Sequence, residues 1–372
     1  MKLHFLIAGL ILPVLLRPAY AQLETSYPGS AVLYKVLVDD PGIQNRLWLH
    51  LQPITADGMA MNAAVGSGLE THWITPLKGL ELHGGIRGTF FNAMDLQKKA
   101  SGSASVFLQE TKYDDPSRNS LNRDFSRFLA WEAGAYYPLF EKKTNGKANI
   151  AVPDPSGVAE NLELNARVLR SIGLRLGWNS LQTTVSLNRA MEDQNSELKG
   201  SKGTILSPQG SSAIPGSPYI SQAGRNSIFT SFSSSGIYAG VAMQRRKNIS
   251  IKTETMGIVS SNSILTFYAD LILNPFTELS PFSMTRLSTG ETEKFETDDA
   301  IKTGNLGFRT GFEIRYNEGS FMSAGGEIGY RPAIQGQGFY ASLRIGIPVF
   351  SAGRNAFVKP STNVGADQSI GK

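Results

Sequence analysis

The last regular stretch of the chain, "GFYASLRIGIPVF" at 338 to 350, alternates between apolar and polar or small residues. Side chains of a β-strand point to opposite faces in turn, so the pattern predicts a strand with one apolar and one polar face. Leu343 lies on the apolar face and Arg344 on the other. A soluble sheet buries such an apolar face in a core, whereas a membrane barrel presents it to lipid and turns the polar face to its lumen.

The same alternation recurs along the chain between clusters of Gly, Ser, Pro, Asn and Asp, and no long stretch has helical period. It predicts about fourteen strands, with twelve as the lower bound. The predicted strands are 45–53, 61–74, 79–91, 103–112, 128–140, 167–178, 181–189, 226–233, 236–246, 249–258, 263–273, 304–317, 321–332 and 338–350. An even number of strands places both ends of the barrel on one side.

Short links and long loops are expected on opposite sides of such a barrel. The short links at 179–180, 260–263 and 317–320 fall on the side of the termini, and the long polar segments 141–165, 190–225 and 274–303 fall outside. The segment 114–126 is the exception, because it is long for the side on which it falls.

The N-terminus has the organisation of a signal peptide, with Lys2, an apolar run at 5–16 and a small-x-small site ending at Ala21. A short membrane helix is the alternative, but the run is below the roughly 18 residues that a span needs. We therefore predict a signal peptide at 1–21, an N-terminal periplasmic or lumen-plugging segment at 22–44, a barrel at 45–350 and a polar, disordered tail at 351–372.

Composition excludes several classes of function. There is no Cys, which excludes disulfides, thiolate metal sites and a catalytic Cys. Without Lys2 and Arg17, 34 basic residues face 31 acidic ones, a balance too close to neutral to predict a nucleic-acid partner. No segment after 21 resembles a membrane-spanning helix, so residence in a membrane requires a barrel.

Aromatic residues cluster near the ends of the apolar faces, as in the girdles of membrane barrels. They are Trp73, Phe90, Tyr137, Trp178, Tyr316, Tyr330 and Phe339. With these features and the aromatic Phe350 ending the final strand, the chain resembles a bacterial outer-membrane β-barrel protein, although 351–372 follow that aromatic. The resemblance implies an antiparallel up-and-down transmembrane barrel with long extracellular loops in a Gram-negative outer membrane. It also implies contact with lipid and lipopolysaccharide and recognition by the barrel-assembly machinery. A soluble exported β-sandwich or jelly roll is the alternative.

Charged residues on the polar faces of the last three strands predict a ladder in the lumen. If the turn at 317–321 is tight, Gly311 lies opposite Glu327 and Arg309 lies diagonal to it. If the next link spans 333–336, Ser342 also lies opposite Glu327 and Arg344 lies diagonal to it, within reach of long side chains. The further members of this predicted lumen charge ladder are Glu313, Arg315 and Arg331.

A second predicted lumen patch combines Glu70, His72, Glu81 and His83. A four-residue link at 75–78 would place His72 opposite Glu81 and Glu70 opposite His83. Such a set suits a metal site or a pH-sensitive gate, but the simpler interpretation, which we favour, is two cross-strand ion pairs. His50 is expected opposite Ala64, roughly 26 Å along the strand from His72, and therefore outside the patch.

The basic run Arg245, Arg246 and Lys247 falls at a predicted external turn, where it would either contact lipopolysaccharide phosphates or be solvated. Catalytic motifs are absent from the sequence, so we expect neither an enzyme nor a metal or other cofactor. The sequence predicts a pore or transporter for small solutes with a weak anion preference from its arginines. The alternative is a closed structural barrel with an adhesion, secretion-accessory or anchoring role.

Overall fold

The computed structural model describes residues 34–42, 47–75, 77, 79–93, 113–114, 128–153, 159–203, 205–206, 229–253, 257–286, 292–316 and 323–352. The predicted signal peptide, the predicted strand 103–112 and most of the predicted tail lie outside these residues. The elements are β1 (Tyr34–Asp39), β2 (Leu47–Met59), β3 (Ala63–Ile74), β4 (Glu81–Asn92), β5 (Tyr113–Asp114), β6 (Leu129–Pro153), β7 (Ala159–Ser186), α1 (Leu187–Gln194), β8 (Leu198–Lys199), β9 (Ile205–Leu206), β10 (Phe229–Thr253), β11 (Gly257–Leu279), β12 (Phe282–Arg286), β13 (Thr292–Phe295), β14 (Leu306–Tyr316), β15 (Ser323–Tyr330) and β16 (Phe339–Ala352).

Ten of these strands form a closed antiparallel ring. The ring order is β10, β11, β14, β15, β16, β2, β3, β4, β6 and β7, and β7 pairs back to β10. Closure removes the edge strands that an open sheet would expose. The prediction of an all-β antiparallel barrel is therefore confirmed. Among the described residues, no helix is both long and apolar enough to span a bilayer.

The predicted strand count is wrong, because the ring has ten strands and β1 lies outside it. The predicted strands 167–178 and 181–189 join in one strand, β7, which ends at Ser186. The described part of 226–233, all of 236–246 and residues 249–253 likewise join in one strand, β10. Asn179, in the predicted turn, continues the ladder instead, opposite Glu132 on one side and Gly236 on the other. Small polar residues inside a long strand were thus misinterpreted as turns.

We call the end of the barrel where β2 begins and β16 finishes the terminal end, and the opposite end the loop end. The predicted external loop 141–165 is wrong, because it is mostly the β6–β7 hairpin, which extends at the terminal end. The long connections from β4 to β6, from β7 to β10 and from β11 to β14 all start and finish at the loop end. The segment 114–126 belongs to the connection from β4 to β6, so with ten strands it agrees with the rule that long loops and short links lie at opposite ends.

The outward faces of the strands carry exposed apolar side chains. At the loop end, Phe308, Tyr330 and Phe339 form one row across three neighbouring strands. Exposed aromatic residues near the terminal end are Trp73, Tyr137, Phe140, Tyr316 and Phe350. Alternation from Arg344 predicts Phe350 on the lumen face, but the bulge in β16 between Pro348 and Phe350 turns it outward. The result is an apolar belt with aromatics at both edges.

The loop end is closed by a cap of α1, β8, β9, β12 and β13. Its core is continuous with lumen-facing side chains of the barrel such as Ala130 and Tyr340. Phe282 and Phe295 stack in this core with ring centroids 5.0 Å apart. The Gln194 side chain, at the end of α1, both donates to the Lys302 carbonyl and accepts from the Lys302 amide. Apolar burial and paired hydrogen bonds thus hold the cap on the barrel mouth.

At the terminal end, the pairing of β7 with β10 stops at Val168, and β1 pairs with β10 beyond that point. It pairs from Tyr34↔Thr253 to Asp39↔Ile249, and the Asp39 carboxylate accepts the Arg167 amide proton at 2.7 Å. β1 is also the only strand in the described part of the predicted segment 22–44. A second apolar cluster lies between the extended hairpins and contains Ala148, Ile150, Leu164, Ala166, Ile249 and Ile251. The β6–β7 hairpin and the strands β1 and β10 thus form a two-layer extension of the barrel beyond the apolar belt.

Candidate functional site

The His/Glu patch lies inside the barrel, with a register that differs from the predicted one. His72 is opposite His83, and Glu70 is opposite Gly85. The link between β3 and β4 spans 75–80 rather than 75–78, which moves the partner of each β3 residue by two positions along β4. His72 Nδ1 is nevertheless 3.0 Å from Glu81 Oε1, because the two side chains lean toward each other inside the lumen. The patch therefore forms, whereas the predicted Glu70–His83 pair does not.

Glu81 is the centre of this cluster and is almost fully buried. Its carboxylate accepts hydrogen bonds from Arg315 Nη2 at 2.6 Å and from Gln244 Nε2 at 3.0 Å. Arg246 Nη2 lies 3.6 Å from the same carboxylate. β4 and β14 are five strands apart in a ring of ten, so the Glu81–Arg315 contact spans the lumen from one wall to the opposite one.

The exclusion of His50 from this region is wrong. β2 runs to Met59 and the reversal to β3 is only 60–62, so His50 lies opposite Glu70 instead of Ala64. Its ring centroid is 6.4 Å from that of His72. The side chain is fully buried, and neither ring nitrogen has a hydrogen-bond partner.

The predicted charge ladder has the expected register, with Glu327 opposite both Gly311 and Ser342. Arg309 Nη1 is 3.7 Å from Glu327 Oε2, and Arg331 Nη2 is 3.1 Å from Oε1 of the same side chain. Arg344 instead pairs with Glu313 at 3.4 Å. The ladder thus continues into the His/Glu patch, because Glu313 also contacts Arg315 and His72 at 2.6 and 3.4 Å.

Several lumen residues outside the predicted set complete the network. Asp270 accepts from Arg309 Nε at 2.8 Å, and Glu132 accepts from Arg309 Nη1 at 2.7 Å. Asp57 pairs with Arg331 at 2.7 Å, and the Tyr268 hydroxyl donates to Glu327 at 2.8 Å. The alternation of polar and apolar residues could have placed these side chains in the lumen. Their partners cannot be assigned from the sequence, because they lie on strands that are far apart along the chain.

Glycines make room for the large side chains of the lumen. Gly134 and Gly177 lie opposite each other on β6 and β7. A Cβ atom added at either would lie within 2.5 Å of the Tyr238 hydroxyl. That hydroxyl is 2.6 Å from His83 Nε2, and Arg309 stacks over the Tyr238 ring at 4.4 Å from its centroid. Glycine is therefore required at these two strand positions by the lumen rather than by a turn.

Arginines and carboxylates are equal in number among the described residues of the lumen. The arginines are Arg87, Arg175, Arg246, Arg309, Arg315, Arg331 and Arg344. The carboxylates are Asp57, Glu70, Glu81, Glu132, Asp270, Glu313 and Glu327. Two cavities between these groups have volumes of about 20 and 30 Å³. Each has space for one or two water molecules.

Glu70, His72 and Glu313 offer ligand atoms that lie within 4.8 Å of one another, the spacing of a metal site. Two guanidinium groups occupy the same region, because Arg315 Nε is 2.6 Å from Glu313 and Arg344 Nη2 is 4.0 Å from Glu70. A cation bound there would lie beside these fixed positive charges. The donor set therefore fits ion pairs and does not fit a metal ion.

The basic run at 245–247 is not at an external turn. All three residues lie within β10, toward the terminal end. Arg246 points into the lumen and pairs with Gln244 and Glu81. Arg245 and Lys247 alternate with it and face outward. The prediction of a three-residue external contact is therefore wrong, because the turn that it assumed is the middle of a strand.

No family model and no curated protein matches the chain. Among solved structures, the chain is similar to a TodX deltaS2S3 mutant, a monoaromatic hydrocarbon channel, at 9% identity over 82% of this chain and 90% of that one, with a TM-score of 0.24. OmpT, an outer membrane protein of Vibrio cholerae, matches at 8% identity over 84% and 99%, with a TM-score of 0.17. What this chain does is therefore inferred from its own residues. In architecture it resembles a bacterial outer-membrane β-barrel, with a closed antiparallel ring, an apolar exterior and a polar lumen.

Proposed function

We propose that the protein spans the outer membrane as a barrel whose lumen is closed, and that it serves as a structural, anchoring or accessory component. Support for the membrane location comes from the belt. From Trp131 to Phe140, β6 rises about 30 Å, which a strand tilt of about 40° reduces to roughly 23 Å, close to the apolar height of such barrels. In this proposal the terminal end faces the periplasm and the loop end faces outward.

Support for a closed lumen comes above all from the Glu81–Arg315 contact, which joins opposite walls at 2.6 Å. A solute would have to break this pair and the pairs around it. Leaving one partner of a buried ion pair unpaired costs about 3–5 kcal/mol. The cap adds a second obstruction, since its apolar core extends into the barrel mouth at the loop end.

Planar-bilayer recording of the refolded protein tests closure. We expect insertion without steady conductance, with insertion itself verified by heat-modifiable migration on a gel. Steady ion conductance would overturn the closed barrel, and loss of heat-modifiable behaviour together with detergent-free solubility would overturn the membrane location.

Single cysteines give an independent test of the same proposal, because the chain has no Cys of its own. Gln244→Cys places a thiol in the lumen, and Thr292→Cys places one on the exposed surface of the cap. We expect a water-soluble maleimide to label Thr292→Cys on intact cells and to leave Gln244→Cys unlabelled in the inserted protein. Rapid labelling of Gln244→Cys would indicate an open lumen.

The second candidate is the small-solute pore predicted from the sequence, which is favoured by the charged side chains among the lining of the two cavities. Conduction would then require movement of the cap and of the Glu81 cluster. The equal numbers of arginines and carboxylates argue against a preference for anions. If conductance is observed, its reversal potential in a salt gradient decides this point.

A further inference from the structure

Three cations form one row on the outer surface of the barrel. Lys142 on β6 is opposite Arg170 on β7, and Arg170 is opposite Arg245 on β10. Because neighbouring strands are about 4.8 Å apart, the three backbone positions span about 10 Å. Like charges directly opposite each other are destabilising, so the row needs an external anion to offset the repulsion.

No acidic side chain among the described residues pairs with these three cations. Asp40 pairs with Lys143 and Glu163 pairs with Lys147, while Glu141 lies opposite Ser171 and therefore on the other face of β6. Arg245 Nε is buried and has no hydrogen-bond partner. The positive charge of the row is therefore not compensated within this part of the protein.

The row lies directly beside the apolar belt. One residue pair closer to the barrel centre, the outward positions are Phe140, Ile172 and Met243, which are 72%, 52% and 50% exposed. Two residues along a tilted strand correspond to about 5 Å of height, and the headgroup layer on each side of a bilayer is about 5–8 Å thick. When the belt lies in hydrocarbon, the row lies at the depth of the lipid phosphates.

We propose that Lys142, Arg170 and Arg245 form a binding site for the phosphate of an anionic glycerophospholipid in the leaflet at the terminal end. This inference rests on the proposed membrane location. Guanidinium groups bind phosphate oxygens in bidentate fashion, and a lysine on the third strand adds a mobile positive charge. The acyl chains of the same lipid would lie along Phe140, Ile172 and Met243. The site replaces the lipopolysaccharide contact predicted from 245–247, and it lies at the opposite end of the barrel from the long connections.

The test is lipid retention by the full-length refolded barrel. The wild type and the triple variant Lys142→Gln/Arg170→Gln/Arg245→Gln are inserted into vesicles of phosphatidylcholine with and without phosphatidylglycerol. After gentle detergent extraction, the phosphatidylglycerol that stays bound is counted by native mass spectrometry. A basic residue near an anionic surface changes binding about fivefold, so we expect the triple variant to reduce retention by at least about tenfold.

The matched control is Lys35→Gln/Lys252→Gln. These two lysines are opposite each other at the same end of the barrel, and Lys252 is about 23 Å along β10 from Arg245. The control should retain phosphatidylglycerol as the wild type does. Equal retention by the triple variant, or equal loss in the control, would overturn the site. If the wild type fails to insert into either vesicle, the membrane location itself is overturned.

Discussion

Replacing Glu81 by Gln tests whether the lumen is filled or hydrated. The Glu81 side chain is 3% exposed and lies 2.6 Å from Arg315 and 3.6 Å from Arg246. Gln has nearly the same shape and can still accept a hydrogen bond through its amide oxygen, so the substitution removes charge and leaves the packing in place. Arg315 and Arg246 would then lose the carboxylate that they both contact, in a region with little space for water.

The expected change follows from the burial of the cluster. Removing one partner of a buried ion pair lowers stability by about 3–5 kcal/mol, because the remaining charge is left uncompensated. We expect a loss of that size in the free energy of unfolding of Glu81→Gln. A hydrated lumen predicts less, since ion pairs in contact with water contribute about 0–1 kcal/mol.

The measurement is urea unfolding and refolding in lipid vesicles, followed by tryptophan fluorescence and by heat-modifiable migration. Glu163→Gln is the matched control, because Glu163 pairs with Lys147 at side chains that are 53% and 67% exposed. It should lower stability by no more than about 1 kcal/mol. If Glu81→Gln behaves like Glu163→Gln, the lumen is solvated, and the closed barrel that we propose is wrong.

Three further substitutions or conditions test other parts of the structure. Gly134→Ala should destabilise the barrel by about 1–3 kcal/mol through overpacking, measured by urea unfolding, whereas Gly88→Ala, with nothing within 4 Å of its added Cβ, should be close to neutral. Val241→Arg, on the belt, should lower stability in vesicles by about 2–4 kcal/mol if the residue lies near the bilayer midplane, and an unchanged value would contradict the assignment of its face to lipid. Burial alone would raise the pKa of Asp40, but the Gly42 amide and Lys143 outweigh it, so the pKa of Asp40 is lowered. Its stabilisation is therefore present at neutral pH and lost as pH falls through the lowered pKa, and amide-exchange protection of β1 should decrease from pH 7 to about pH 3, with no decrease in Asp40→Asn.

The face on which a side chain lies could be predicted for the regular parts of the strands, because side chains alternate with a period of two, but not beyond a bulge such as the one before Phe350. Arg344 and Glu327 point into the lumen, as their positions among apolar neighbours indicate. The register of the last three strands was also accessible, since a short turn fixes it. The link at 75–80 is two residues longer than the predicted link, so the partners on β4 are shifted by two positions. The long side chain of Glu81 nevertheless reaches His72.

The number of strands could not be predicted from the sequence, because the small and polar residues that form turns also occur inside strands. Asn179 is a turn former in an isolated peptide, but here its side-chain oxygen accepts a hydrogen bond from Asn274 Nδ2 of β11, on the far side of the intervening strand β10. A Cβ atom at Gly236 would lie closest to backbone atoms of Leu273 and Asn274 on the neighbouring strand, beside a bulge in the β10–β11 ladder. These contacts exist only once the strands have paired, so they cannot be recognised from the sequence.

The error in strand count also changed the predicted function. Barrel diameter grows roughly in proportion to the number of strands. About fourteen strands would separate opposite walls beyond the reach of paired side chains and leave a channel, whereas ten bring Glu81 and Arg315 into direct contact. These two residues are 234 positions apart in the sequence, so their pairing depends on the diameter and not on any local pattern. The same arginines that suggested an anion pathway in a wide barrel pair with carboxylates across a narrow one, as the closed lumen that we propose requires.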